Sequence, residues 1–236
     1  MKFQFKEFSI QQDKTAMKVG TDGVLLGAWA SLKHQPDAIL DIGAGTGIIA
    51  LQMAQRSTAE LIDAIELDDD AFEQCVDNFE NSPWSDRLFC YHASFQEFVE
   101  EIDETYQSIV SNPPFFNQKN ETRPSNARNT ARFTDTLPFE DLLSGVKQLL
   151  TKDGVFSCIL PEEYHQEFID LAKTSNLFLN RVCFVKGNPT SPVKRCLMEF
   201  SFQQKELQTE HLIIELERHQ YTKDYIALTK DFYLKM

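Results

Sequence analysis

A glycine-rich loop between a predicted strand and a predicted helix constrains the fold of this chain more than any other feature. It reads Asp41-Ile-Gly-Ala-Gly-Thr-Gly47 and follows the apolar stretch 38–42. Closely spaced glycines let a ligand approach the backbone and the next helix, because no Cβ atoms intervene. A dinucleotide fingerprint would place its third glycine at Ile48, and a P-loop would continue with Gly-Lys-Ser/Thr. The loop therefore predicts a ligand site of another kind.

Predicted strands and helices alternate along most of the chain. The strands are expected at 38–42, 60–66, 87–91, 106–111 and 154–160, and the helices at 46–55, 68–81, 139–150 and 162–175. Such alternation is typical of an α/β protein with a parallel sheet covered on both faces. Two further strands, 178–185 and 194–202, have no helix between them and are expected to form an antiparallel hairpin at one edge. The stretch 211–216 suits either a strand or a helix, and 223–233 suits a short helix. The prediction is a doubly wound, mostly parallel, seven-stranded sheet with a C-terminal hairpin.

The segment Asn112-Pro113-Pro114-Phe115 forms a second constrained corner, directly after the strand predicted at 106–111. Neither proline has an N–H to donate to a sheet, so the strand ends here, and Pro113 restricts Asn112 to an extended conformation. The amide oxygen of Asn112 and the Pro113 carbonyl can accept two N–H bonds from a planar amine, on which Phe115 can stack. The alternative is a surface turn beside an aromatic side chain.

Both corners lie at carboxyl ends of predicted strands, where open α/β sheets bind their ligands. Glu66 ends the second strand and can accept both hydroxyls of a ribose, while Asp41 suits an ammonium group rather than a phosphate. A ligand with a ribose, an ammonium group and no phosphate points to S-adenosylmethionine. Asp41 could instead act only as a structural cap of the loop.

The charge of the chain is strongly negative but unevenly distributed. Its net charge is −13, and residues 60–105 contain fifteen acidic side chains and one basic side chain. Two short stretches, 119–132 and 181–195, are basic and can act locally because salt screens distant charges. The candidate RNA-binding residues are Lys119, Arg123, Arg128, Arg132, Lys194 and Arg195.

Cysteine usage predicts a reducing compartment. The chain has five cysteines without a C-x-x-C pair, and no apolar run long enough to span a bilayer. We therefore expect a cytoplasmic protein without disulfides, a metal site or a membrane partner.

The motifs together resemble the class I S-adenosylmethionine-dependent methyltransferases, which have a Rossmann-like fold. Leu-Asp-Ile-Gly-Ala-Gly-Thr-Gly matches their first motif, Glu66 their second-strand acid, and Asn-Pro-Pro-Phe the catalytic motif of enzymes that methylate planar amines. Residues 17–29 resemble the N-terminal signature of bacterial tRNA adenine-N6 methyltransferases that modify valine tRNA beside the anticodon. The resemblance spans nearly the whole chain. It implies one methyltransferase domain, 1–236, with residues 1–30 as an extension over the cofactor site.

The resemblance also implies roles for individual residues. The catalytic candidates are Asn112, Pro113, Pro114 and Phe115, and the cofactor-binding candidates are Thr21, Asp22, Asp41, Gly43, Gly45, Gly47, Glu66, Ser94 and Asn112. Many relatives have an acid that binds the adenine amine of the cofactor where this chain has Ser94. A hydroxyl can still accept one hydrogen bond there, without charge assistance, unless neighbouring backbone makes that contact.

The expected reaction is methyl transfer to N6 of an adenine in tRNA. Methylation of a glutamine amide in a protein and of guanine N2 in ribosomal RNA are alternatives, because both use the same type of amine-accepting corner. A non-catalytic RNA-binding module is a further alternative, from a different functional class.

Overall fold

The computed structural model describes residues 2–15, 18–113 and 137–235. The described strands are β1 (Lys2–Gln4), β2 (Ser9–Gln11), β3 (Ala38–Ile42), β4 (Leu61–Glu66), β5 (Leu88–His92), β6 (Tyr106–Ser111), β7 (Leu150–Pro161), β8 (Phe178–Lys186), β9 (Val193–Ser201), β10 (Gln208–Ile213), β11 (Glu215–Glu217) and β12 (Gln220–Tyr221). The described helices are α1 (Thr21–Trp29), α2 (Ile48–Arg56), α3 (Asp69–Glu80), α4 (Phe95–Glu101), α5 (Phe139–Leu149), α6 (His165–Thr174) and α7 (Lys223–Thr229), with a 3-10 turn at Glu162–Tyr164.

The central sheet has the strand order β10-β8-β9-β7-β6-β3-β4-β5. The β9 strand runs antiparallel to both of its neighbours, β7 and β8, and the other pairings are parallel. The predicted doubly wound, mostly parallel fold with a C-terminal hairpin is therefore confirmed. The sheet contains an eighth strand, because the chain from Gln208 to Ile213 pairs in parallel with β8. This pairing occupies the outer edge of β8, so β10 rather than the hairpin forms that edge of the sheet.

Helices cover both faces of the sheet. On one face, α1, α2, α3 and α7 contribute buried side chains to one apolar cluster, which includes Leu25, Leu51, Phe79 and Tyr225. On the other face, α4, α5 and α6 contribute to a second cluster, whose buried members include Phe95, Leu142 and Phe168. No helix among the described residues is long and apolar enough to cross a membrane.

The start of α3 shows how local sequence sets a helix boundary. The Asp68 side chain accepts a hydrogen bond of 2.9 Å from the Ala71 N–H, which would otherwise lack a partner in the helix. Asp69 and Asp70 follow in the first turn, where the helix dipole favours negative charge. The helix therefore begins three residues after Glu66, the last residue of β4, so its first turn lies at the carboxyl edge of the sheet.

The strand order reverses direction between β3 and β6. The chain runs outward from β3 to β4 and β5, then returns to place β6 on the other side of β3. Such a reversal opens a crevice at the carboxyl ends of the two strands, which is where this class of sheet binds ligands. Ile42 pairs with Ser111 in the last register position of these strands, so the glycine loop and Asn112 leave neighbouring strands at the same level.

Candidate active site

The three glycines of the loop after β3 differ in what surrounds them. Gly43, Gly45 and Gly47 all have positive φ values, of 74°, 57° and 78°, which side chains with a Cβ atom rarely adopt. A Cβ atom at Gly47 would lie 2.5 Å from Phe79 Cε1 and 2.9 Å from Cys75 Sγ, so this glycine permits close packing on α3. Around Gly43 and Gly45, a Cβ atom would meet no described atom within 4 Å. Within the described residues, the backbone of these first two glycines therefore faces open space, as a loop that binds a ligand requires.

Asp41 lies one residue before the end of β3 and is fully buried. Its Oδ2 atom accepts a hydrogen bond of 3.1 Å from the N–H of Ala50 in α2. Its Oδ1 atom is buried without a hydrogen-bond partner in the described part of the chain. Burial raises the pKa of Asp41 to about 7, the Ala50 N–H opposes this shift, and the nearby charge of Glu66 adds to it. A buried acceptor without a partner fits the ammonium group of an amino-acid-like ligand.

Glu66 connects the glycine loop to the turn before α3. Its Oε2 atom accepts the Gly45 N–H at 2.7 Å, and its Oε1 atom accepts the N–H groups of Leu67 and Asp68, both at 2.9 Å. A carboxylate offers roughly four acceptor positions, so these three bonds leave room for one more donor. The geometry therefore leaves an acceptor position for one ribose hydroxyl rather than for both, because three backbone N–H groups already donate to Glu66. Sequence reasoning missed this role of Glu66 in holding the loop.

Ser94 begins α4 as part of a capping box. Its hydroxyl donates to Glu97 Oε2 at 2.7 Å and accepts from the Glu97 N–H at 3.2 Å, while the Glu97 carboxylate accepts the Ser94 N–H at 2.9 Å. The hydroxyl hydrogen is thus already engaged. The hydroxyl oxygen retains one free lone pair, which can accept a hydrogen bond from the amine of a ligand.

Asn112 follows β6 immediately. The preceding residue anchors the corner, because the Ser111 hydroxyl donates to the Ile42 carbonyl at 2.9 Å. Asn112 Oδ1 is buried and has no hydrogen-bond partner among the residues that the structure describes. Pro113 is also buried. An amide oxygen held in this way can accept an N–H from a planar amine, as the sequence predicted. Pro114 and Phe115 lie outside the described residues.

Helix α1 delivers Thr21 and Asp22 to this edge of the molecule. Gly23 and Gly27 let α1 approach α2 closely, since Cβ atoms at these positions would crowd Ile48 and overlap with Gln52. Asp22, in the first turn, forms a salt bridge with Arg195 of β9, with 2.7 Å between Oδ2 and Nε. One ion pair thus joins Asp22, predicted to bind the cofactor, to Arg195, predicted to bind RNA.

The remaining candidates for RNA binding divide into two groups. Lys194 is described and exposed beside Arg195, at the end of β9 that lies on the same edge as the end of β7. Lys119, Arg123, Arg128 and Arg132 lie outside the described residues.

Sequence reasoning missed Asn78, a buried polar residue of α3. Its Nδ2 atom donates to the Thr46 carbonyl of the glycine loop at 2.9 Å and to the Gln11 carbonyl at 3.0 Å. Its Oδ1 atom accepts the Gln11 N–H at 2.7 Å. Asn78 therefore links the N-terminal segment to the glycine loop. The available signal was an amide at helical spacing from Ala71 and Cys75, on the apolar face of the helix.

Within residues 2–15, 18–113 and 137–235, no group of three or more histidine, cysteine, aspartate or glutamate side chains is arranged to hold a metal ion.

Sheet order, glycine loop, second-strand acid and the asparagine corner together define a class I S-adenosylmethionine-dependent methyltransferase. The fold agrees with solved structures. A predicted O-methyltransferase from Agrobacterium tumefaciens superposes with a TM-score of 0.69 at 20% identity, covering 89% of this chain and 96% of its own. Pyrococcus horikoshii TYW2 in complex with MeSAdo superposes with a TM-score of 0.56 at 13% identity, covering 83% of this chain and 68% of its own.

Sequence relatives identify the family within this class. The methyltransferase small domain family matches residues 21–133. A Flavobacterium psychrophilum protein, described as a tRNA1(Val) (adenine(37)-N6)-methyltransferase, is 56% identical over 99% of this chain and 100% of its own length. A Bacteroides fragilis protein of the same description is 43% identical over 99% of this chain and 98% of its own length. The chain belongs to this family of tRNA adenine-N6 methyltransferases, which confirms the resemblance seen in the sequence.

Proposed function

We propose that this protein transfers a methyl group from S-adenosylmethionine to the exocyclic N6 of an adenine in tRNA, namely the adenine at position 37 of a valine tRNA. The descriptions of its relatives supply that position and that tRNA. The observation that carries the proposal is the buried Asn112 Oδ1 atom, which has no partner within the described residues. Asn112 follows Ser111, which pairs with Ile42, the residue before the glycine loop.

The cofactor site is built around the carboxyl ends of β3 and β4. Asp41 would hold the ammonium group, Glu66 the ribose, and the backbone of Gly43 and Gly45 the adjoining part of the cofactor. Gly47 shapes the loop against α3. Thr21, Asp22 and Ser94 would complete the site, under an N-terminal extension formed by residues 1–30. The hydrogen bonds of Asn78 to Gln11 and Thr46 support this placement of the extension. When bound, S-adenosylmethionine supplies an electrophilic sulfonium methyl group.

The asparagine corner would activate the adenine amine. Its nitrogen is a weak nucleophile, because its lone pair is delocalised into the ring. By accepting the two N–H bonds, Asn112 Oδ1 and the Pro113 carbonyl favour the pyramidal nitrogen that attacks, and so stabilise the transition state more than the ground state. Pro114 would keep this corner rigid, and Phe115 would stack on the extruded base, which is worth about 1–3 kcal/mol.

RNA would approach the same edge of the sheet. Lys194 lies on the described part of that edge, and the basic residues of 119–132 follow the catalytic corner in the sequence. Lysine and arginine contacts to phosphates release counterions, so binding should weaken with salt by a slope of about −0.7 per phosphate for single-stranded RNA. A tRNA substrate and five free cysteines support a cytoplasmic location for the protein.

The proposal is tested by incubating the protein with labelled S-adenosylmethionine and bulk tRNA, followed by mass spectrometry of the nucleosides. Labelled N6-methyladenosine is the expected product. Labelled N2-methylguanosine would instead indicate a guanine-N2 methyltransferase, and labelled protein would indicate a glutamine-amide methyltransferase. The Asn112→Ala variant is the matched control. It should lose roughly 100- to 1,000-fold in turnover, the usual effect of removing one transition-state hydrogen bond, and retain cofactor affinity.

A further inference from the structure

The salt bridge between Asp22 and Arg195 joins two parts of the chain that are 173 residues apart in sequence. The Arg195 Nε atom donates to Asp22 Oδ2 at 2.7 Å, and its Nη1 atom donates to the Lys194 carbonyl at 3.0 Å. The two paired side chains are 28% and 34% exposed, so both are partly shielded from water. A partly shielded pair is screened less by salt than an exposed one, and it fixes both side chains more firmly.

Asp22 lies at the less buried end of α1. Residues 23–29 of α1 are all buried, whereas Thr21 is exposed and Asp22 is half-buried. The N-cap residue of this helix is Gly20, which has no side chain to cap the first turn. Arg195 is the partner of Asp22 within the described part of the chain, so the first turn of α1 is held at its open end by this residue.

A β-bulge explains why two adjacent basic residues face different surroundings. Arg195 pairs with Val185 of β8, but the next pair joins Lys186 to Val193, so Lys194 is the extra residue of the bulge. Bulges commonly change the direction of a side chain. Lys194 is exposed, whereas Arg195 is half-buried and also pairs with Pro161 at the end of β7.

We infer that Arg195 is a positioning residue of the cofactor site, which holds Asp22 and the first turn of α1, and that Lys194 is the residue of this pair that meets RNA. The inference rests on the proposed function, in which Asp22 and Thr21 contribute to cofactor binding. It assigns the two basic neighbours to different ligands. Arg195 also offsets one negative charge at an edge of the sheet that already has Asp41 and Glu66.

The test measures binding of S-adenosylmethionine by calorimetry in the absence of RNA. Arg195→Gln should weaken this binding roughly tenfold, the loss expected when a hydrogen bond between charged groups is removed. Lys194→Gln should leave cofactor affinity within about twofold of wild type and should weaken binding of a valine-tRNA anticodon stem-loop. Arg195→Lys, which keeps the charge but loses the planar guanidinium group, should give an intermediate cofactor affinity.

A double-mutant cycle separates positioning from general damage. If the two residues act as a pair, Asp22→Asn combined with Arg195→Gln should bind the cofactor within about twofold of the weaker single variant. Wild-type cofactor affinity in Arg195→Gln, or fully additive losses in the double variant, would overturn the inference. Thermal unfolding monitors folding, and Arg195→Lys decides the question if Arg195→Gln is unfolded. Wild-type protein that binds the cofactor but labels no adenine in tRNA would instead defeat the proposed function.

Discussion

Two aspartates on neighbouring strands, Asp41 of β3 and Asp63 of β4, are both buried where a charged carboxylate is unfavourable. Burial raises the pKa of Asp41 to about 7 and that of Asp63 to about 6. Each has an Oδ1 atom without a hydrogen-bond partner among the described residues. They differ in their surroundings. Asp63 accepts the Tyr106 hydroxyl at 2.6 Å, whereas Asp41 accepts a backbone N–H from α2 and lies at the start of the glycine loop.

The side chains of these aspartates also point to opposite faces of the sheet. Asp41 alternates with Leu40 and Ile42 along β3, and Asp63 alternates with Ile62 and Ala64 along β4. Asp63 therefore lies on the face that Tyr106 shares with α5. A raised pKa alone does not separate a ligand-binding acid from a structural one. What separates them here is the open backbone beside Asp41 and the tyrosine beside Asp63.

The largest effect that this comparison predicts is on cofactor affinity. Asp41→Asn should weaken binding of S-adenosylmethionine roughly 10- to 100-fold, because the amide cannot provide the negative charge opposite the ammonium group. The amide oxygen can still accept the Ala50 N–H, so the fold is expected to persist. Calorimetry compares the cofactor affinity of Asp41→Asn with that of Asp63→Asn, which we expect to bind as wild type does. Equal affinity of Asp41→Asn and wild type would leave Asp41 with only its structural contact to α2.

A smaller effect should appear in the pH dependence of cofactor binding. The pKa of Asp41 is about 7, so its carboxyl group in the cofactor-free protein becomes increasingly protonated as pH falls from 7.5 to 6, whereas contact with an ammonium group requires the carboxylate. Binding must then release a proton, so affinity should rise several-fold, and at most about tenfold, from pH 6 to pH 7.5. The range ends there because α-amino groups lose their own proton at about pH 7.7–8.0.

Comparison of variants identifies the titrating group. Asp63→Asn should retain the pH dependence of cofactor binding, and Asp41→Asn should lose it. If the rise persists in Asp41→Asn, another group titrates, and the contrast between the two aspartates would no longer hold for cofactor binding.

The helices and strands around the site were predictable where the local sequence and the packing on the sheet favour the same secondary structure. Strand β6 has the predicted bounds, and α3 differs by one residue at each end, because Asp68 and Asn81 are its N-cap and C-cap residues. Helix α1 was not assigned from the sequence. It has no polar face, and its two glycines are unfavourable for a helix until α2 packs against them. Helix α4 was missed despite a readable signal, the Ser94 and Glu97 capping box.

The contacts of the site were less predictable than its residues. The sequence placed Asp41, Glu66 and Asn112 at one edge, because carboxyl ends of parallel strands meet there. It could not show that Glu66 binds the Gly45 N–H, or that Arg195 pairs with Asp22, since these contacts depend on packing between distant segments. The stretch 211–216 was left open between strand and helix, because only its pairing decides between them: residues up to Ile213 pair with β8, and Glu215 begins β11, which pairs with β12.

The smallest predicted effect concerns the stability of the fold. The folded-state pKa of Asp63 lies above that of an unfolded aspartate, so this group favours the folded state most at low pH and loses that contribution as pH rises from about 4 to 6. Asp63→Asn removes the ionisation, and its amide oxygen can still accept the Tyr106 hydroxyl.

The variant should therefore gain stability relative to wild type with increasing pH, by about 1 kcal/mol between pH 5 and pH 8. Urea unfolding at the two pH values measures this difference, with Asp170→Asn as a control on an exposed acid. A difference that stays constant with pH would mean that Asp63 ionises in the folded protein as readily as in the unfolded chain. The pKa of Asp63 in the folded protein would then equal that of an aspartate in water, despite its burial beside a tyrosine hydroxyl.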